Sequence, residues 1–200
     1  MAWKWSAIAV LWVTKRGLDR RDMAKAIMER PLVCFFCAVT YPDSLERDRA
    51  LTRLTQEWGP VAKESPQLEF SAQTAYYDSE MGPALKKQIF VFEKLLSLEG
   101  LYETKIVTNG WEAEGAIEGK RRFNLDPGYL DEAKLVLFSA KDFYHRLYQG
   151  QGIYAELTLF YRAKKGYQEL EWSFPDYSLP LWKDFFKEVR GWYRRKIGKS

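Results

Sequence analysis

The chain has 200 residues, a net charge of +4, 46% hydrophobic and 29% charged residues. That length buries a core without disulfides or metals to staple it. The charge is too mild for a dedicated nucleic-acid binder, and its basic excess gathers at Arg190, Arg194, Arg195, Lys196 and Lys199, where cations suit a helix C-terminus. An aromatic share of 16% points to a substantial β-sheet.

The first stretch, Met1 to Val13, is apolar and rich in tryptophan, and Lys15, Arg16, Arg20 and Arg21 follow it. It is shorter than the roughly 20 residues that cross a bilayer, and no small-residue cleavage site follows its apolar part. An ordered helix, a membrane-surface anchor and a translation start assigned ahead of Met23 or Met28 all fit it. The expected organisation is an extension over residues 1–30, one domain over 31–195 and a basic tail over 196–200.

Pro31 to Tyr41 is a continuous apolar run bounded by prolines and predicts a buried strand. It carries both cysteines, Cys34 and Cys37. In a strand a spacing of three puts the thiols on opposite faces, and a redox pair belongs at a helix N-terminus. Two buried reduced thiols are therefore expected, as in a cytoplasmic protein. A helix follows, opened by Pro42 and Asp43, with Glu46 in the capping-box position, Leu51, Leu54 and Trp58 at helical spacing, and Gly59-Pro60 to end it.

Gln67 to Tyr77 alternates like a strand and Tyr76 to Pro83 reads as a polar turn. Lys87 to Leu95 predicts a strand, and Leu98 to Ala116 a helix with Lys105, Thr108, Asn109 and Glu112 on neighbouring turns. Phe123 to Asp126 should be extended and Asp126-Pro127-Gly128 should turn it. Strands are then expected at Lys134–Ser139, His145–Gln149, Ile153–Arg162 (the longest) and Tyr167–Ser173, joined by short turns into an antiparallel meander. Ser178 and Pro180 open a last helix with an apolar stripe of Leu181, Phe185, Val189, Trp192 and Tyr193. The fold class is α+β: an antiparallel-rich mixed sheet with a C-terminal meander and helices packed on it.

Four constellations have chemistry to offer. Arg121 and Arg122 present the fork that suits phosphate or carboxylate, beside Asn124 and Asp126 on one face of an extended segment; an Asx-turn with surface ion pairs is the plain alternative. Ser139 to Arg146 holds Lys141 and the one histidine, His145, an acid, a base or a structural residue. Glu156 lies opposite the apolar odd positions of its strand, and is either a proton acceptor among aromatics or part of an exposed sheet face. Tyr76, Tyr77, Asp78 and Glu80 share the polar turn, where the tyrosines could stack on a base. There is no G-x-x-x-x-G-K-[ST], HExxH or Ser-His-Asp order, and nothing points to a particular cofactor or metal.

The segments Thr74-Ala-Tyr-Tyr-Asp-Ser-Glu-Met-Gly82, Lys105-Ile-Val-Thr-Asn109, Arg121-Arg-Phe-Asn-Leu-Asp-Pro-Gly-Tyr-Leu130, Lys141-Asp-Phe-Tyr-His-Arg146, Gly152-Ile-Tyr-Ala-Glu156 and Phe174-Pro-Asp-Tyr177 follow one another in this order. In this the chain, from Pro31 to about Arg194, resembles the prokaryotic domain of unknown function 4416 family. The resemblance implies a cytoplasmic bacterial or archaeal protein and no particular reaction. Some members carry a GTP-binding label, for which this chain has no Walker lysine. One departure is Ser71-Ala72-Gln73, where relatives read Phe-Asp-Phe-Thr.

The reading that joins these clusters is a domain, possible enzyme or not, that binds a small phosphorylated or nucleotide-like anion. Lys105, Arg122 and Lys141 would contact the anion, with Asn109, Tyr76 and Tyr77 lining the site. Asn124 and Asp126 would orient the ligand, and His145, Glu156 or Asp126 would be the acid or base. It requires these side chains to converge on one pocket. The alternative is a non-enzymatic module that takes RNA or protein on exposed aromatics, Tyr154 with Phe160 or Tyr76 with Tyr77.

Overall fold

In the computed structural model, residues 32–74 and 77–199 are described, so the expected N-terminal extension and Tyr76 lie outside the described residues. The strands are β1 (Val33–Tyr41), β2 (Val61–Glu64), β3 (Leu68–Glu69), β4 (Lys86–Leu96), β5 (Asn124–Leu130), β6 (Lys134–Ser139), β7 (Arg146–Gly150), β8 (Ile153–Arg162) and β9 (Gly166–Glu169). The helices are α1 (Ser44–Trp58), α2 (Asp78–Met81), α3 (Glu103–Glu114) and α4 (Pro180–Lys196). One antiparallel sheet runs in the order β2-β4-β1-β5-β6-β8-β7, with β3 also on β4 and β9 also on β8. The α+β class with a C-terminal strand meander is observed; within the meander β8 joins β6, and β7 and β9 share its outer side.

All nine residues of β1 are buried, the condition of a strand covered on both faces. Its period of two divides it between two cores. Val33, Phe35, Cys37, Val39 and Tyr41 pack in the layer with α1 and Leu101, and Cys34, Phe36 and Ala38 pack in the layer with α4. The two thiols thus face opposite layers. Burial pushes Cys34 up to about 12 and Cys37 well above its ordinary value, so neither is a reactive thiolate.

Asp43 caps α1 as expected, its Oδ1 accepting from Glu46 N at 3.0 Å. The reciprocal half of a capping box is absent, because the buried Glu46 carboxylate accepts from Arg49 and Arg122 instead. The buried stripe of α4 begins one residue later than expected: Trp182, Phe185, Phe186, Val189 and Tyr193 are inside and Leu181 is exposed.

Four expectations fail near one end of the sheet. The strand expected to reach Tyr77 stops at Glu69. Leu85 O accepts from both Phe70 N and Ser71 N, and Ser71 Oγ bonds Leu85 N and Asp78 Oδ1, which curls the chain away. The polar turn that follows contains the single helical turn α2. The expected turn at Asp126-Pro127-Gly128 does not form: β5 runs through it, with Pro127 opposite Cys37 and Gly128 opposite Phe36. And β4, with 11 residues, is longer than β8 with 10.

The reason β5 tolerates proline lies in its neighbours. β6 pairs with it only at Gly128, Tyr129 and Leu130, so residues 124–127 have a strand on one side alone. The N–H and C=O of Leu125 point into the gap and are satisfied by Glu112 Oε1 at 2.7 Å and Lys105 Nζ at 2.6 Å. Pro127, two residues on and facing the same way, has no N–H to leave unpaired. Gly128 follows where the strands close together: a Cβ there would stand 2.4 Å from Val136 O and 2.8 Å from Phe36 Cζ.

A β-bulge reorganises β8. Leu159 lies opposite Leu135 but Leu157 opposite Val136, leaving Thr158 as the extra residue. The bulge reverses the faces, so Ile153, Ala155 and Leu157 point to the layer of α1 and Leu159 and Tyr161 to that of α4. The apolar odd positions serve both cores, and Glu156 and Thr158 are buried rather than on an exposed face.

Candidate functional site

Where β5 and β6 part, a cavity of about 540 Å³ opens. On the face of the sheet that carries α4, the neighbouring strands place polar residues side by side. Thr40 of β1 lies between Lys87 of β4 and Asn124 of β5, and Asp126 follows on the same face. Ser139 of β6 and Glu156 of β8 continue this face across the gap. From the other side α3 sends Lys105 and Asn109, one turn apart, to the cavity wall. The turn at Phe70, the residue Tyr77, and the segment Phe174–Tyr177 before α4 complete it.

The charges in the wall are paired. Lys87 Nζ lies 2.7 Å from Asp176 Oδ2, with both side chains about 5% exposed, and sits over the rings of Phe70, Tyr177 and Trp182. Lys105 Nζ donates to Leu125 O and to Asp126 Oδ1 at 3.3 Å. Asn124 Nδ2 donates to Asp126 Oδ2 at 2.8 Å, and Asn124 Oδ1 accepts from Arg121 at 2.8 Å. Arg121 also forks onto both oxygens of Glu80 at 2.6 and 2.7 Å and reaches Glu112 Oε2 at 2.8 Å. Burial lifts Asp126, but the charges of Lys105 and Lys87 and the bonds from Lys105 and Asn124 bring it below the ordinary aspartate value. Burial raises Glu112, which Lys105 and Arg121 only partly offset.

At the far wall Arg146 Nε lies 2.8 Å from Glu156 Oε2, and His145 Nε2 lies 3.1 Å from the same oxygen. The imidazole is stacked between Phe143 at 5.9 Å and Trp172 at 5.3 Å, both nearly parallel to it. Arg146 is held further by Ser139 Oγ and Lys141 O, each at 2.9 Å.

The Glu80–Arg121 pair carries a pH dependence. The Arg121 bonds hold the Glu80 carboxyl below the ordinary glutamate range, against a smaller opposing effect of burial. A lowered carboxylate contributes stability that is present above the ordinary range and is lost as pH falls through the lowered value. Denaturant titrations of the wild type and Glu80→Gln should therefore differ most near neutrality and converge on acidification. A gap that stays constant with pH would show that the pair contributes no pH-linked stability.

Of the residues expected at a site, the structure brings Lys105, Asn109, Asn124, Asp126, Lys141, Glu156 and Tyr77 to this one cavity. His145 stands beside Glu156 and is not part of the wall. Arg122 is a correction: it turns to α1 and donates to Glu46 Oε1 at 2.7 and 3.2 Å, away from the cavity. Its neighbour Arg121 takes the place: the chain bends at Arg122 just before β5 begins at Asn124, and Arg121 faces Asn124, Glu112 and Glu80. Lys87 and Asp176 were missed. A charged residue two and four positions before Ile89 and Val91, in phase with the buried face of β4, was the available signal for Lys87. Among the described residues no group of three or more His, Cys, Asp or Glu is placed to hold a metal ion, and no helix is long and apolar enough to cross a membrane.

Residues 31–193 match a family model described as Domain of unknown function (DUF4416). No curated protein and no solved structure matches the chain.

Proposed function

The chain belongs to the domain of unknown function 4416 family, and from the chemistry of its cavity we propose that it binds a small phosphorylated or nucleotide-like anion there, in the cytoplasm of a prokaryote. The supporting observation is the composition of one wall. Lys87, Lys105, Arg121, Lys141 and Arg146 line the cavity with Asp126, Glu156 and Asp176, and Glu80 and Glu112 pair with Arg121. Phe70, Tyr77, Phe143 and Phe174 line it too. A volume near 540 Å³ falls in the ordinary range for small-molecule sites. In this reading Lys105, Arg121 and Lys141 contact the anion, Asn124 and Asp126 orient the ligand, and Tyr77 stacks on it. Asn109 lines the pocket, and Glu156, Asp126 and the nearby His145 are the acid–base groups if a reaction is run.

A thermal-shift screen with inorganic phosphate, ribose 5-phosphate, adenosine monophosphate and guanosine triphosphate tests it. A ligand at 100 times its dissociation constant should add about 2.7 kcal/mol, and at about 2–4 °C per kcal/mol for a chain of this size that is a shift of several degrees. Lys141→Glu should abolish the shift and Arg122→Ala should leave it intact. No shift with any of the four would end the proposal.

A second reading has its own observation. Phe143, Tyr144, Leu147 and Tyr148 are exposed, the last two on β7 at the sheet edge. The one Lys or Arg in residues 143–150, Arg146, is turned inward to Glu156, so this edge suits a protein partner better than RNA. Of the aromatics expected for RNA, Tyr154 and Phe160 are half-buried, Tyr77 lines the cavity, and Tyr76 lies outside the described residues.

A further inference from the structure

Two buried polar atoms on residues of the cavity wall have no hydrogen-bond partner among the described residues: Glu156 Oε1 and the Tyr177 hydroxyl. Both side chains are enclosed, Glu156 at 1% and Tyr177 at 0% exposure. Buried polar groups in folded proteins nearly always have a partner, and an orphan calls for an explanation. The two sit on different elements, β8 and the turn before α4, and both residues line the same cavity.

The Glu156 carboxylate cannot swing to find a partner elsewhere. Arg146 Nε and His145 Nε2 both hold its other oxygen. A carboxylate oxygen only accepts, so Nε2 carries the proton in that bond. The imidazole is itself clamped between Phe143 and Trp172, and Arg146 is anchored by Ser139 and Lys141 O. Oε1 is thus a fixed acceptor. A hydroxyl suits it better than a phosphate oxygen, because it donates without bringing a second negative charge beside the carboxylate.

We propose that Glu156 Oε1 accepts a hydrogen bond from a hydroxyl of the ligand and that Tyr177 pairs with a second oxygen of the same ligand, so that the cavity selects sugar phosphates and the ribose of nucleotides over simple phosphates. In this binding step His145 acts by holding the carboxylate in place. The inference rests on the reading of the cavity as a phosphorylated-ligand site and names the part of the ligand beyond the phosphate.

Calorimetric titration of the full chain with ribose 5-phosphate and with inorganic phosphate separates the two claims. The wild type should bind ribose 5-phosphate at least about tenfold more tightly, the value of one hydrogen bond to a charged group. Glu156→Gln should lose about that factor for ribose 5-phosphate, and Tyr177→Phe about threefold, with phosphate affinity unchanged in both. His145→Gln should lower the ribose 5-phosphate preference without altering phosphate binding, an effect that general loosening of the fold would not confine to one ligand. If Glu156→Gln does not fold, Tyr177→Phe decides alone. Equal losses for both ligands, or no loss for ribose 5-phosphate, would overturn the role of Glu156 and Tyr177 while leaving the phosphate site standing. Binding of neither ligand would overturn both.

Discussion

Asp176→Ala is expected to lower stability by about 3–5 kcal/mol, the cost of stranding a buried charge. Lys87 is 5% exposed and Asp176 holds it at 2.7 Å. Without that carboxylate the ammonium keeps ring faces, Phe70 at 5.0 Å, Tyr177 at 5.1 Å and Trp182 at 5.5 Å, and the more distant charge of Asp126. Such faces are worth about 2 kcal/mol when desolvated, less than the ion they would have to replace. Thermal unfolding should fall by roughly 10 °C at about 2–4 °C per kcal/mol. The double variant Lys87→Met with Asp176→Leu should recover most of the loss, because an apolar pair of similar volume carries no desolvation cost. Urea titrations of the wild type and the two variants check this. An Asp176→Ala midpoint within about 1 kcal/mol of the wild type would mean that Lys87 is reached by water and that the wall is looser than its burial suggests. The same titrations report on the cavity, since Lys87, Asp176 and Tyr177 all line it.

Most local periods of the sequence survive in the fold, the alternation over Gln67–Tyr77 being the exception, and the fold was opaque wherever long-range pairing set the outcome. The run around Cys34 and Cys37, the Asp43 cap and the stripe of α4 are local patterns, and the structure keeps them with shifts of a residue. Asp126-Pro127-Gly128 was misleading for a physical reason. Its turn chemistry is genuine, but whether proline breaks a strand depends on whether a partner needs the N–H, and at Pro127 β6 has already diverged. Glu156 shows the same limit. Alternation correctly set it apart from the apolar odd positions, yet its burial follows from Arg146, His145 and the α4 layer, all distant from it in the pattern. At the site, the charged segments around Asn124, Lys141 and Glu156 were each visible singly. That they meet at one cavity is a property of the sheet order, in which β5 and β8 flank β6. The choice between Arg121 and Arg122 turned on the bend at Arg122, because strand phase alone would have put Arg122 on the face of Asn124.

Arg146→Met is the second large effect. Arg146 is 6% exposed at its side chain and Glu156 1%, so the substitution leaves a buried carboxylate with His145 as its only partner. The expected loss is again about 3–5 kcal/mol, and it is accompanied by the release of Ser139 Oγ and Lys141 O, which Arg146 now ties together. The loop between β6 and β7 should consequently loosen, and amide exchange at residues 140–145 should accelerate more than in the core strand β1. Adding Glu156→Gln removes the stranded charge, so the double variant should be more stable than Arg146→Met alone. That non-additivity is the signature of a direct pair. Additive losses would show instead that Arg146 supports the loop independently of Glu156, and Glu156 would then need another cation to account for its burial.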